Sequence, residues 1–218
     1  LSDEAIEFLM NYHEEDEHLD YKVNFSPEEE REWLNVTKDF LAFANTNGGF
    51  LFFGIENLTF VKRGIELKTA MYLSDADKVQ AKISKYICPP LIHIRTKQII
   101  KDELYFVVIF IPPSKDSTHI VQFDGKFSKS DKTEVTVLRQ GNIYIRKSGG
   151  NSIIDYKTFE ELLSRRIDYF KEILLGRITK VVEAPTKHEI RFINPQDKSD
   201  GITKEQTYGL SSSPDAIP

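Results

Sequence analysis

The chain has 218 residues, 40% of them hydrophobic and 11% aromatic, and a formal net charge of −5. That is ample for a packed core, which argues against global disorder, and too acidic for a protein that coats DNA indiscriminately. One cysteine, Cys88, excludes an internal disulfide, and with five histidines at no zinc spacing it argues against a structural zinc site.

No apolar run nears the roughly 18 residues of a membrane span, and the first stretch is acidic where a secretory signal would be basic. A cytoplasmic setting without a membrane partner is therefore expected. A chain that opens on Leu1 reads as part of a longer protein.

Ser2–Tyr12 reads as a short helix with Ile6, Leu9 and Met10 on one face. His18–Phe25 alternates as a half-buried strand, with Leu19, Tyr21 and Val23 on one side and Asp20 and Lys22 on the other. Ser26-Pro27-Glu28-Glu29 predicts a capped helix start, and Trp33, Val36, Phe40 and Phe43 keep helical spacing to about Ala44. Asn45 to Gly49 ends that helix, and Phe50–Ile55 is an apolar strand buried on both faces. Asn57–Lys68 reads as a loop with a short strand. Ser74-Asp75 opens a second helix, which Pro89-Pro90 closes.

Ile92–Ile100 and Leu104–Ile111 predict two strands, the second central in a sheet. Ser114–Thr133 reads as a surface excursion or small hairpin, and Glu134–Leu138 with Asn142–Arg146 as a hairpin about Gln140-Gly141. Lys147–Ser152 is a loop. Asp155–Leu175 is a helix with Phe159, Leu162, Leu163, Ile167, Phe170 and Leu174 inward, and beyond Pro185 a strand at Glu189–Ile193 leads into a polar tail. The order predicts an α/β fold bordering on α+β, a mixed sheet with helices packed on it. Residues 1–180 form the domain, and 181–218 a linker or the start of a following module.

Charge is uneven along the chain. Leu1–Glu32 holds twelve acids against Lys22 and Arg31, a net −10, whereas Arg139–Lys180 holds nine bases against five acids, a net +4. This fits either a basic patch on an acidic protein or two solvated helix faces.

Three motifs resemble the Schlafen AlbA-like family, whose members are also described as divergent AAA or DNA-binding domains. They are Glu14-Glu15-Asp16-Glu17 leading into Leu19-Asp20-Tyr21-Lys22; Ala42-Phe43-Ala44-Asn45-Thr46 with Gly48-Gly49 and a strand ending Gly54-Ile55-Glu56; and Gly141-Asn142-Ile143-Tyr144-Ile145-Arg146-Lys147-Ser148-Gly149. Order and spacing match from about Glu14 to Leu163. The resemblance implies a Schlafen AlbA-like fold and a nucleic-acid-binding module of a larger bacterial regulatory or defence protein, such as a transcriptional regulator. It also implies an alternative, a divalent-metal endoribonuclease of Schlafen type.

Metal-assisted phosphodiester cleavage needs convergent carboxylates around a cation such as Mg²⁺ or Mn²⁺, with a lysine to offset developing charge. The candidates are Glu15, Asp20 and Glu56 as metal ligands, with Lys22 beside them. Asp20 stands where the family writes Glu, and Asn57 stands where cleaving members look acidic; both shift the reading from catalysis to binding. Otherwise Glu14–Glu17 are solvated charges and Asp20–Lys22 a surface pair. For phosphate contact the candidates are Lys22, Asn45, Arg139, Arg146 and Lys147.

Asn45 to Gly49 serves either as a backbone phosphate cradle or as architecture that lets the strand start against the helix. No P-loop lysine follows, so ATP hydrolysis is not supported. A Ser-His-Asp triad stays open on residue types alone, with no nucleophile elbow to mark it. A third reading is a homodimer or protein-interaction platform built on the Asp155–Leu175 helix.

Overall fold

The computed structural model describes residues 1–129, 133–148, 150–182, 191–192 and 206–207, with side chains only as far as 176. Gly149, the Ser130–Lys132 part of the predicted excursion, most of the Glu189–Ile193 strand and nearly all of the polar tail lie outside the described residues. Contacts divide the chain into two units, Leu1–Ile167 and Asp168–Pro218. Among the described residues no helix is long and apolar enough to cross a membrane.

Unit one is built on a mixed four-stranded sheet in the order β1-β2-β5-β4. Strands β1 (Leu19–Lys22) and β2 (Gly49–Phe53) are parallel, while β5 (Leu104–Ile111) runs antiparallel to both β2 and β4 (Arg95–Lys101). Helix α1 (Asp3–Asn11) packs Ile6, Leu9 and Met10 with Leu19, Tyr21, Phe52, Phe106 and Val108 on one side of the sheet. On the other side lie α2 (Glu30–Asn45), α3 (Leu67–Leu73) and α4 (Ala76–Ser84), over Leu51, Phe53, Val107, Ile109 and Ile111. The period of two along each strand sorts its side chains between these layers. Both layers are filled, which is why β2 and β5 read as continuous apolar runs. Each fully buried large side chain contributes about 1.5–3 kcal/mol.

The same alternation fixes the central feature of the site. Leu19 and Tyr21 turn to the α1 layer, so Asp20 and Lys22 turn to the α2 side. The expected facing was right. The opposite face, however, is covered by α2 and is no open surface, and Asp20 is only 5% exposed.

Several boundaries differ from the expectations. Helix α2 begins at Glu30 with Glu29 as an N-cap that makes no side-chain bond. Ser26 instead closes a turn, its carbonyl accepting the Glu29 N–H at 3.1 Å, and the Pro27 carbonyl accepts Trp33 Nε1–H at 2.9 Å. Helix α3 falls where a loop was expected to run to Lys68. The predicted hairpin of Glu134–Leu138 with Asn142–Arg146 does not form. Strand β8 (Glu134–Leu138) pairs with β7 (Gly125–Ser128), and β9 (Tyr144–Lys147) pairs with β10 (Gly150–Ile153). The physical reason lies at Gly141–Asn142, which exchanges backbone bonds with Val121 of β6 (Ile120–Val121), an element that pairs with β3 (Ile87–Cys88) and draws the turn away.

Helix α5 runs Tyr156–Val182, started by Asp155, whose Oδ1 accepts the Thr158 N–H at 2.8 Å. Of the six residues expected inward on it, Leu162 is buried, whereas Ile167, Phe170 and Leu174 are exposed. In unit two, β11 (Arg191–Phe192) and β12 (Gln206–Thr207) form a short antiparallel pair.

Gly48 and Gly49 are explained by space. At Gly48, with φ +72°, a Cβ would stand 2.6 Å from Pro113 Cδ and 2.8 Å from the Ile111 carbonyl; at Gly49 it would overlap the Phe43 ring. The Gly48 N–H donates to the Phe43 carbonyl at 2.8 Å, so it closes the helix end and is not free to cradle an anion.

Candidate functional site

Beneath α2 four charged side chains form a closed quartet. Arg146 of β9 places Nη2 2.7 Å from Asp20 Oδ1, and Lys22 Nζ lies 2.5 Å from Asp20 Oδ2 and 3.2 Å from Asp39 Oδ2. Asp39, on the inner face of α2, also accepts Asn151 Nδ2–H at 2.5 Å. Arg146 gives further bonds to Asn151 Oδ1 and to the Asp16 and Leu19 carbonyls, and its guanidinium lies 4.8 Å from the centre of the Phe43 ring. Two acids and two bases leave the group neutral, as burial demands.

Burial pushes the Asp39 carboxyl up, against the pull of Lys22. For Lys22 burial acts downward, but the carboxylates of Asp39 and Asp20 outweigh it and raise the ammonium above its ordinary range. Asp20 Oδ2 and Asp39 Oδ2 receive no aligned hydrogen bond and rely on the Lys22 charge. Of the quartet, Lys22 and Asp39 reach a cleft of about 650 Å³ that Asn24, Glu32, Asn35 and Lys38 also line.

This arrangement decides how the expected metal ligands stand. Glu15 is half-buried, and its Oε1 accepts the Tyr21 N–H at 2.8 Å; burial raises its pKa, with the Tyr21 bond opposing. Glu56 pairs with Arg63 at 3.2 Å and accepts a short bond from the Thr59 hydroxyl. Among the described residues no three His, Cys, Asp or Glu side chains are gathered to hold an ion. The expected trio of Glu15, Asp20 and Glu56 is thus not assembled. Asp20, its most buried member, is already matched to two cations, so these residues do not fit Mg²⁺ or Mn²⁺.

The expected phosphate contacts also separate. Arg146 keeps 1% of its side chain exposed and is bound on every edge, so it is corrected from a surface contact to an interior counter-ion. Asn45 is likewise interior: its Oδ1 accepts the His119 N–H, and its Nδ2 donates to the His119 and Tyr144 carbonyls. Lys147 is exposed but paired with Asp155 at 2.5 Å, an interaction that holds the Asp155 carboxyl far below the usual range. Arg139 is exposed at the turn after β8.

The surface that sequence reasoning missed lies between α2 and the β7–β8 hairpin. A cleft of about 430 Å³ there is lined by Arg31, Lys38, Lys129, Asn35 and Phe127, with Val135, Thr136 and Val137 as its wall. No acid lines it. Among the described residues Arg31, Lys38 and Lys129 have no carboxylate partner. Arg31 lies over the Phe127 ring at 5.7 Å. Lys38 and Asn35 line the Lys22 cleft as well, so the two clefts adjoin along α2. The sequence signal was faint: Arg31, Asn35 and Lys38 share one helix face at spacings of four and three, but Lys129 and Phe127 join them only through the hairpin fold.

A family model described as Schlafen, AlbA_2 matches residues 15–155. No curated protein matches the chain. Among solved structures, a Corynebacterium diphtheriae protein, DIP2311, is similar at 16% identity and a TM-score of 0.45 over 67% of this chain; the chain spans 23% of that protein. The N-terminal domain of a RecG-related protein from Nitrosomonas europaea is similar at 15% identity and a TM-score of 0.35, covering 68% of this chain and 93% of that domain.

Proposed function

The chain belongs to the Schlafen AlbA_2 family, and from that premise we propose that it is a nucleic-acid-binding module that grips the sugar-phosphate backbone in the groove between α2 and the β7–β8 hairpin. The observation that carries this reading is the lining of that groove: among the described residues, three cations without carboxylate partners, one of them over an aromatic ring, and no acid. Phosphate oxygens supply the missing counter-charge, Asn35 offers a neutral donor, and the Arg31–Phe127 pair offers a flat surface for an unstacked base. The neighbouring cleft carries Glu32 and Asp39 beside Lys22, so the unmatched cations are confined to the groove itself.

Contacts of this kind set affinity and register without reading sequence, so binding falls as salt rises. The quartet below is support. It ties β1, α2 and β9 together, with Asn151 of β10 bonded to it, and leaves Lys22 and Asp39 facing the neighbouring cleft. The test is a fluorescence-anisotropy titration of labelled RNA and DNA oligonucleotides. The parent chain binds at low salt, and the double variant Arg31→Glu/Lys38→Glu binds more than about tenfold more weakly. Equal binding by the two would discard the groove.

A further inference from the structure

A second cluster lies where β5 leaves the sheet, and it plays no part in the groove. His119 is 2% exposed. Its Nδ1 lies 2.6 Å from the Pro89 carbonyl oxygen and its Nε2 2.5 Å from Ser114 Oγ. A carbonyl oxygen only accepts, so Nδ1 carries the ring proton. In the neutral ring Nε2 is then a bare lone pair, and the Ser114 hydroxyl must be the donor. The other tautomer would set two acceptors face to face at Pro89. Burial lowers the pKa of His119, against weaker upward effects of the Pro89 bond and the Asp116 charge, which keeps the ring neutral near pH 7.

The backbone on both sides is clamped. Asn45 accepts the His119 N–H and donates to the His119 carbonyl, each at 2.8 Å, and the Ser114 N–H donates to the Ala44 carbonyl at 2.8 Å. A hydroxyl hydrogen-bonded to a base that a third group orients is the arrangement of an activated nucleophile. The base is shielded from water, while Ser114 itself is half-buried and keeps part of its surface in solvent.

We propose that Ser114 is such a nucleophile, with His119 as general base and the Pro89 carbonyl as the group that orients it, and that it accepts an acyl or phosphoryl group from a small activated ester. In the acyl case Ser114 Oγ bonds to the carbonyl carbon, and the carbon–oxygen bond to the leaving alcohol breaks. The hydroxyl proton passes to His119 Nε2 and from there to the departing oxygen. The products are acyl-Ser114 and the free alcohol, with no change of oxidation state. This inference stands on the Ser114–His119 geometry and is independent of nucleic-acid binding.

The test is labelling with p-nitrophenyl acetate and with an alkyl fluorophosphonate, followed by mass-spectrometric location of the adduct. With the fluorophosphonate, an oxygen–phosphorus bond replaces phosphorus–fluorine and fluoride leaves. Ser117, in the same loop with its hydroxyl donating to Asp116 at 3.2 Å, is the internal control.

Ser114 is expected to label at least roughly tenfold faster than Ser117, well within the range of general-base assistance. The adduct is expected to vanish in Ser114→Ala, with a rate that rises with pH through a midpoint below the ordinary histidine value and then levels. Labelling of Ser114 no faster than Ser117, or a rate that climbs in proportion to hydroxide without levelling, overturns the proposal. Should Ser114→Ala fail to fold, the ratio of the two serines in the parent chain still decides.

Discussion

Arg146 on β9 and Arg31 on α2 are the same residue type, and the protein uses them in opposite ways. Arg146 is sealed under α2 with every donor edge committed to Asp20, Asn151 or a backbone carbonyl. Arg31 lies over Phe127 at the rim of a groove in which no acid among the described residues meets it. Charge that is matched inside holds elements together; charge left unmatched at the surface is available to a partner. Composition does not distinguish the two, and neither does position along the chain. What separates them is whether a carboxylate has been brought within reach.

The largest effect that separates the two regions is on stability. Arg146→Ala leaves Asp20 and Asp39 sharing one lysine in a buried site, and is expected to cost about 3–5 kcal/mol in urea unfolding. A loss under about 1 kcal/mol would mean that the quartet opens to water and is not the support described here.

Next is the groove. Arg31→Glu/Lys38→Glu is expected to keep the melting temperature within about 3 °C of the parent, because surface changes move stability little, while binding falls more than tenfold. A milder cut, Lys129→Ala, should lower affinity several-fold and reduce the slope of log affinity against log salt by about 0.7 for a single strand, the value expected for one lost phosphate contact.

The pH dependence sharpens the comparison on the buried side. The folded pKa of Asp39 is raised above its unfolded value, so the folded state holds the proton more tightly. Its contribution is present in full below the unfolded value near 3.8 and is lost as pH rises through the folded pKa. In Asp39→Asn that loss is gone. The stability of the variant relative to the parent should therefore climb as pH rises from about 4 towards neutrality. Unfolding curves at several pH values check this, and a difference independent of pH would contradict it. The smallest effect is at Glu56, where Glu56→Ala should change neither binding nor melting, since Glu56 is only half-buried and its partners Thr59 and Arg63 are exposed.

The parts of this arrangement that follow from local periodicity were legible in the sequence. Alternation in β1 places Asp20 and Lys22 on one face, the apolar run marks β2 as buried on both sides, and the Gly48-Gly49 turn, which fits either architecture or cradle by sequence, proves to be filled by Phe43 and Pro113. What could not be read is what the alternation faced. Asp39 lies in the middle of an amphipathic helix, where an acid ordinarily signals solvent, and only the packing of α2 over β1 buries it. Asn45 and Arg146 look like surface polar residues beside glycines, yet they are bound across 99 and 126 positions of chain. The groove depends on β8 pairing with β7 and not with β9, and that choice is made by long-range bonds to Val121.

The most direct measurement compares three chains in one experiment: the parent, Arg31→Glu/Lys38→Glu and Arg139→Glu, titrated against a labelled single-stranded oligonucleotide over a series of salt concentrations, with melting temperatures taken alongside. All three should fold alike. The parent and Arg139→Glu should bind with similar affinity and a clear decline with salt, and the groove variant should lose more than about tenfold of that affinity and flatten the decline. Binding that survives in the groove variant and collapses in Arg139→Glu would place the interface at the turn after β8 and contradict the division between matched and unmatched charge.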